Sequence, residues 1–246
     1  YLNATEDNNN GTVTVETTNI EDGQTLTIGL NGSNYTGSVS SNSVAITITA
    51  AILQGLTNGT SYTITADVSD AAGNAATQVS TSFIVDITYP TVSSFTMSDT
   101  ALKVGETATV TLIFSEAAIV FSSADDITVQ NGSLATMTSG NSITWTGIFT
   151  PSSDIEDTTN VLTLATTYTD VAGNAGPSAT TANYTIDTTA PTISSITPSW
   201  GSVLSINEIG SGGDIVVVTT NTEDAQTLTM VLNSVSYTGS VSSNSI

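Results

Sequence analysis

Apolar and polar residues alternate at period two along almost the whole chain, and helical periodicity is nearly absent. In the first hundred residues this pattern predicts strands near 12–18, 24–30, 34–39, 44–50, 61–68 and 76–86. Asn31-Gly32 and the Ser-Ser-Asn-Ser stretch at 40–43 supply turn chemistry between them. Only Ala50–Leu56 has the composition of a short helical turn. The next hundred residues predict strands near 92–97, 107–115, 127–130, 133–138, 142–149, 160–168 and 179–187. Thr recurs at the outward positions because its branched Cβ suits the pleat and its hydroxyl suits water. About seven short strands per hundred residues, with turns every eight to twelve, predict an all-β chain of tandem immunoglobulin-like β-sandwich domains. Tyr62, at the start of a strand after Leu56-Thr-Asn-Gly, fits a tyrosine corner as well as plain core filling. Trp145 is expected in a sandwich core. Trp200, beside Pro198 and Gly201, is expected either at a domain joint or on an edge strand.

The pattern also repeats at long range. Thr12–Val44 aligns without a gap to Asp214–Ile246 at an offset of 202, with 21 of 33 positions identical. At about half that spacing Asp70-Ala-Ala-Gly-Asn74 returns as Asp170-Val-Ala-Gly-Asn174, and Asp86-Ile-Thr-Tyr-Pro-Thr91 as Asp187-Thr-Thr-Ala-Pro-Thr192. Units of about a hundred residues are whole domains in a row, longer than solenoid repeats. The predicted units are 1–87, 88–188 and a partial 189–246, with the first and third of one subtype and the second of another. Because the chain starts and stops inside repeats, signals for export and anchoring are expected outside it.

Composition narrows the chemistry. The chain carries 22 acids and one Lys, with no Arg, His or Cys, for a net charge of −21. That charge repels nucleic acid and anionic lipid, and no basic patch exists to read phosphates. Without Cys or His there is no zinc, haem or iron–sulfur ligation and no imidazole-dependent triad. The lack of Cys fits an oxidising compartment. No apolar run is long enough for a membrane helix, so no direct membrane contact is expected of this segment. A hydrophobic fraction of 38% in regular alternation argues for folded domains against disorder.

Asp-x-x-Gly-Asn before the last strand and Asp-x-Thr-x-Pro-Thr at the joint resemble bacterial immunoglobulin-like repeats. So does Leu102-Lys-Val-Gly-Glu-Thr-Ala-Thr-Val-Thr-Leu-Ile-Phe-Ser-Glu116 at the head of the second unit. Repeats of this family build the stalks of giant biofilm adhesins secreted by Gram-negative bacteria. The resemblance covers the whole chain and implies an extracellular or cell-surface stalk, often rigidified by calcium at domain joints.

Sandwich topology places the acids independently. The second-to-third and sixth-to-seventh loops return to a domain's N-terminal end, while its last strand finishes at the joint to the next domain. Asp86, Glu116, Asp170 and Asn174 are therefore expected to converge at the first joint. Asp187, Glu223 and Asp224 are expected at the second, approached by the acidic loop Asp154–Asp157. Glu21, Asp22 and Asp70 would form the equivalent cluster against a preceding domain, expected outside the given sequence. Carboxylates gathered with no Lys or Arg to pair them are costly unless protonated or bound to a cation. Oxygen-only ligands suit a hard cation, and Ca²⁺ accepts six to eight of them. The competing reading is that Asp in Asp-x-x-Gly-Asn caps its own turn and that Glu-Asp pairs are solvated loop residues. Asp125-Asp126 is read as a turn.

Three functions follow from these residues: a structural stalk, a subunit of a self-assembling filament or surface layer, and a carbohydrate-binding accessory module. Partners would be neighbouring repeats of the chain, with lateral self-association in the second case. An aromatic content of 6% spread through strands disfavours the third. Acids at domain ends, with no aromatic-lined cleft, point away from a glycosidase and from enzymes generally. The single Lys103 rules out a repeating Lys–Asn crosslink. Seven Asn-x-Ser/Thr sequons, at Asn3, Asn10, Asn31, Asn34, Asn58, Asn131 and Asn183, are what an Asn-, Ser- and Thr-rich chain produces by chance.

Overall fold

The computed structural model describes residues 1–244. Ser245 and Ile246, the end of the predicted third unit, lie outside the described residues. In the first unit the strands are β1 (Gly11–Glu16), β2 (Thr25–Leu30), β3 (Ser33–Ser38), β4 (Ser43–Ile48), β5 (Ser61–Asp67) and β6 (Val79–Ile84). A single helical turn, α1 (Ala50–Leu53), lies between β4 and β5. β1 pairs antiparallel with β4, and β3-β2-β5-β6 form the facing sheet. Alternation along β2 and β4 turns Leu26, Ile28, Leu30, Val44, Ile46 and Ile48 inward, where each is at most 5% exposed. Burying one such side chain is worth about 1.5–3 kcal/mol. Gly37 on β3 is required by this packing, since a Cβ there would lie 2.5 Å from Val44 and 2.9 Å from Ile46. Leu2 bridges Val85 in parallel, which brings the N-terminal segment beside the end of the last strand. Tyr62 both packs on Phe83 and accepts the Thr57 N–H at 2.9 Å through its hydroxyl, so it forms the corner that ties β5 to the preceding crossover.

The second unit contains β7 (Val92–Met97), β8 (Ala101–Lys103), β9 (Ala108–Phe114), α2 (Ser123–Asp126), β10 (Ile127–Thr128), β11 (Gly132–Leu134), β12 (Thr144–Pro151), β13 (Glu156–Asn160), β14 (Thr163–Leu164), β15 (Ala179–Thr180) and β16 (Tyr184–Asp187). β11-β12-β9-β7 make one face, and β10-β14-β15 with β13-β16-β8 make the other. Val110, Leu112, Phe114, Phe149, Leu162, Tyr168 and Tyr184 fill the space between them at 0–1% exposure. Trp145 stands at the edge of this core against Phe121, its indole N–H donating to Ser142 O at 3.2 Å.

Two expectations are corrected in this unit. The acidic stretch 154–157 is not all loop: Glu156 and Asp157 open β13, opposite Asp187 and Ile186 of β16. The strands expected at 160–168 and 179–187 are each broken in two. Where they break, side chains replace ladder carbonyls: Thr181 Oγ1 accepts from Leu162 N at 3.0 Å, and Asn183 Oδ1 accepts from Asn160 N at 3.0 Å. Period-two alternation carries no signal for such a substitution.

The described part of the third unit is β17 (Thr192–Pro198), β18 (Ile215–Thr220), β19 (Thr227–Leu232) and β20 (Val235–Ser240). β17 pairs with β18 and β19 with β20. No helix of the described residues is long and apolar enough to cross a membrane.

Candidate metal centre

The first joint is built by two loops of the second unit closing on the end of the first. Asp170 opens the tight hairpin between β14 and β15 and holds it together. Its Oδ1 accepts from Ala172 N at 2.8 Å and Asn174 N at 2.9 Å, while its Oδ2 accepts from the Asn174 side-chain amide at 2.8 Å. Asn174 then reaches across the joint. Its Nδ2 donates to the main-chain carbonyl of Asp86 at 2.8 Å, and its Oδ1 accepts from Ala4 N at 2.8 Å. Asn3 Nδ2 returns the contact by donating to Ala172 O at 3.1 Å. Asp170 and Asn174 are 1% and 3% exposed.

Around this clamp the structure brings Asp86, Glu116 and Asp170 together, one carboxylate oxygen of each lying within 4.8 Å of the other two. Glu116 follows β9, and Asp86 is held by its N–H bond to Leu2 O at 2.9 Å. Burial, then the charges of Asp170 and Asp86, raise the Glu116 carboxyl above its usual range. No protein cation answers these acids. Lys103, the single basic side chain, is exposed and lies 3.4 Å from Glu106. Oxygens on one calcium at about 2.3–2.6 Å from the ion span up to roughly 5 Å, so this spacing suits such a cation.

The remaining predicted ligands are placed differently. Glu156, Asp187, Thr189, Asn221, Thr222, Glu223 and Asn244 line a cleft of about 200 Å³ at the second joint. Asp187 is exposed and accepts from Thr189 N at 3.3 Å. Asp224 turns back on its own unit, accepting from Ser243 N at 2.6 Å. Among the described residues the second joint gathers no three-carboxylate group. Glu156, Asp187 and Glu223 share the cleft without converging as Asp86, Glu116 and Asp170 do at the first joint.

At the free end of the first unit Asp70 holds Asn74 through the same pair of bonds, at 2.7 and 2.8 Å. Glu21 Oε2 accepts from Ala71 N at 3.0 Å, and Asp22 Oδ1 accepts from Ser41 N at 2.7 Å. Asp126 ends the turn α2, buried, and accepts from Ser122 N and from the Thr167 hydroxyl.

Asn3 and Ala4 were not among the expected joint residues. A signal for them exists in the recurrence of Leu-x-x-x-Glu. Glu6, Glu106 and Glu208 accept from the main-chain N–H of Asn3, Lys103 and Ser205 at 3.0, 3.1 and 2.7 Å. That recurrence marks the same capped turn in all three units.

Residues 86–186 match the family model described as a bacterial Ig-like domain. Similar solved structures include a calcium-stabilised adhesin with which an Antarctic bacterium reaches out and binds ice, at 23% identity and a TM-score of 0.46. That match covers 100% of this chain, which spans 61% of the adhesin chain. A 1.5-MDa bacterial ice-binding adhesin is similar at 21% identity and a TM-score of 0.48, over 99% of this chain and 80% of that one. A three-Ig segment of titin is similar at 14% identity and a TM-score of 0.44, over 78% of this chain and 64% of that one. No curated protein matches the chain. The second sandwich, with the Asp86 that begins its match, belongs to the bacterial Ig-like domain family.

Proposed function

We propose that the chain is a non-catalytic stalk segment of a large, repetitive bacterial cell-surface adhesin, with domains 1–87, 88–188 and 189–246. In this reading calcium at the joints holds neighbouring sandwiches in line. The observation that carries it is the convergence of Asp86, Glu116 and Asp170 from two domains with no basic side chain to balance them. Small interfaces between domains leave relative motion as the default. A cation bound only by the docked arrangement stabilises it by mass action, about 2.7 kcal/mol at a hundredfold excess over Kd. Extracellular placement is supported by the family of the second sandwich and by a chain with no cysteine.

The test is small-angle scattering of the 246-residue chain, calcium against chelator, with calorimetric titration of the metal. The expected outcome is saturable binding and a longer, narrower distance distribution with calcium. Identical profiles in both conditions would remove the metal-braced joint. Assembly that grows with protein concentration would favour a filament or surface-layer subunit.

A further inference from the structure

The segment Asp86–Thr91 joins the first two sandwiches, and hydrogen bonds hold it from both sides. On the first sandwich the Asp86 N–H donates to Leu2 O at 2.9 Å. Asn58, in the crossover before β5, grips the next two residues with both ends of its side-chain amide. Its Oδ1 accepts from Ile87 N at 2.9 Å, and its Nδ2 donates to the Thr88 hydroxyl at 2.7 Å. Held there, Thr88 N donates back to Asp86 Oδ1 at 3.2 Å, so the grip reaches the acid itself. On the second sandwich Thr91 N donates to Ser115 Oγ at 2.9 Å and Thr91 O accepts from Ser115 N at 2.8 Å, one residue before Glu116. Between these anchors stand Tyr89, which is 52% exposed, and Pro90, which is buried and has its φ fixed by its ring.

The second joint pins the matching residue by other means. Thr188 stands where Ile87 does, and its N–H donates to Ile155 O at 2.7 Å, just before β13. Its hydroxyl donates to Ser152 O at 2.7 Å. Thr189 N then returns to Asp187 Oδ1 at 3.3 Å, as Thr88 N does to Asp86. β13 pairs with β16 as β5 pairs with β6, so both pins come from the loop before the last strand's partner. One uses a side chain and the other a carbonyl. What the two units share is the pinned main chain.

We propose that Asn58 is a positioning residue of the first joint. It fixes Asp86–Thr88 against the first sandwich, so that the Asp86 carboxylate arrives facing Glu116 and Asp170 and the joint turns at Tyr89–Pro90. A linker ordered in advance has less conformational entropy to lose on docking. These bonds need no cation, so the device works in chelator. Its effect on calcium affinity alone rests on the metal site proposed above.

The experiment compares the 246-residue chain with Asn58→Ala and Asn58→Asp, in chelator and in calcium. Asn58 is exposed, so alanine there leaves no cavity. Aspartate keeps the acceptor for Ile87 N and takes the Thr88 hydroxyl proton in place of donating. In chelator, Asn58→Ala should speed amide exchange at Ile87 and Thr88 by about tenfold or more. It should also broaden the distance distribution read by energy transfer between labels on the two sandwiches. Asn58→Asp should restore both. With calcium, Asn58→Ala should raise Kd about fivefold to tenfold, the scale of ordering one residue's backbone. Thr88→Val, which removes one of the two pins, should fall between, and it carries the test if Asn58→Ala lowers the first sandwich's melting. Unchanged exchange and distribution in Asn58→Ala and Thr88→Val would overturn the proposal, and so would failure of aspartate to rescue. Calcium bound equally by wild type and Asn58→Ala would overturn the link to Asp86. A wild type that binds no calcium would remove the metal site, and the chelator measurements would still decide the role of Asn58.

Discussion

Asp70 and Asp170 hold their hairpins by the same pair of bonds to Asn74 and Asn174, yet Asp70 is half-buried and Asp170 is sealed in a joint. Capping a turn and contributing to an ion site are therefore compatible roles. A carboxylate has about four lone-pair positions, and Asp170 uses three on its own loop. Substituting Asp170 would disturb the hairpin and the site together, so Glu116 is the sharper probe. Its carboxyl is influenced by burial and by two acids, with no hydrogen bond among the causes. Glu116→Gln should weaken calcium binding by roughly tenfold or more, as loss of one ligand charge does in such sites, without shifting either domain's melting in chelator. Asp99→Asn, on the connection before β8, is the control and should bind as wild type. Equal affinity in all three proteins would take Glu116 out of the calcium site.

Among the elements, those of the first unit were legible from alternation because its strands are long, one face is buried, and turns such as Asn31-Gly32 punctuate them. The second unit was less so. β8 has three residues and lies parallel to β16, too short for a period to register. β13 carries Glu156 and Asp157, residues that read as loop, and its partner β16 supplies the register. The breaks at 161–162 and 181–183 depend on side-chain acceptors that a pattern of apolar positions cannot show. The joint was legible in part: loop topology brings Glu116 and Asp170 to the end where Asp86 arrives. The opposing turn at Asn3–Ala4 was missed because it is held by the Ala4 N–H and the Asn3 side-chain amide, groups that a pattern of apolar positions does not register. Asn183→Ala tests the account of the break. It would leave the Asn160 N–H without its acceptor in a residue 1% exposed, at a cost of about 1–3 kcal/mol. The second unit's thermal transition should fall accordingly while the first unit's stays put; equal stability would mean the ladder closes by another route.

For the whole molecule, the first joint should respond to pH with a sign set by Glu116. Its carboxyl is raised in the docked state, so the docked state holds the proton more tightly than the open one. In chelator the resulting repulsion is present above the raised value, diminishes as pH falls through it, and is gone below the ordinary glutamate range. Docking should therefore tighten from neutral pH toward that range, as read by energy transfer between labels on the two sandwiches. In saturating calcium the trend should invert, because protons compete with the ion for the same oxygens. Glu116→Gln should flatten the chelator curve; a curve unchanged by that substitution would place the pH response elsewhere.

The grip of Asn174 on the first unit has a consequence for how such a chain can grow. It holds a carbonyl and an N–H, groups that every non-proline residue carries, and it ignores the side chains of Asp86 and Ala4. A coupling that reads only main chain imposes no matched pair of side chains on the two partners. Units can then be duplicated, reordered or exchanged between neighbours without a compensating substitution, provided each keeps the hairpin at one end and the capped turn at the other. Beyond the hairpin and the turn, only the acids that the two units bring together, Asp86, Glu116 and Asp170, tie one surface to the other.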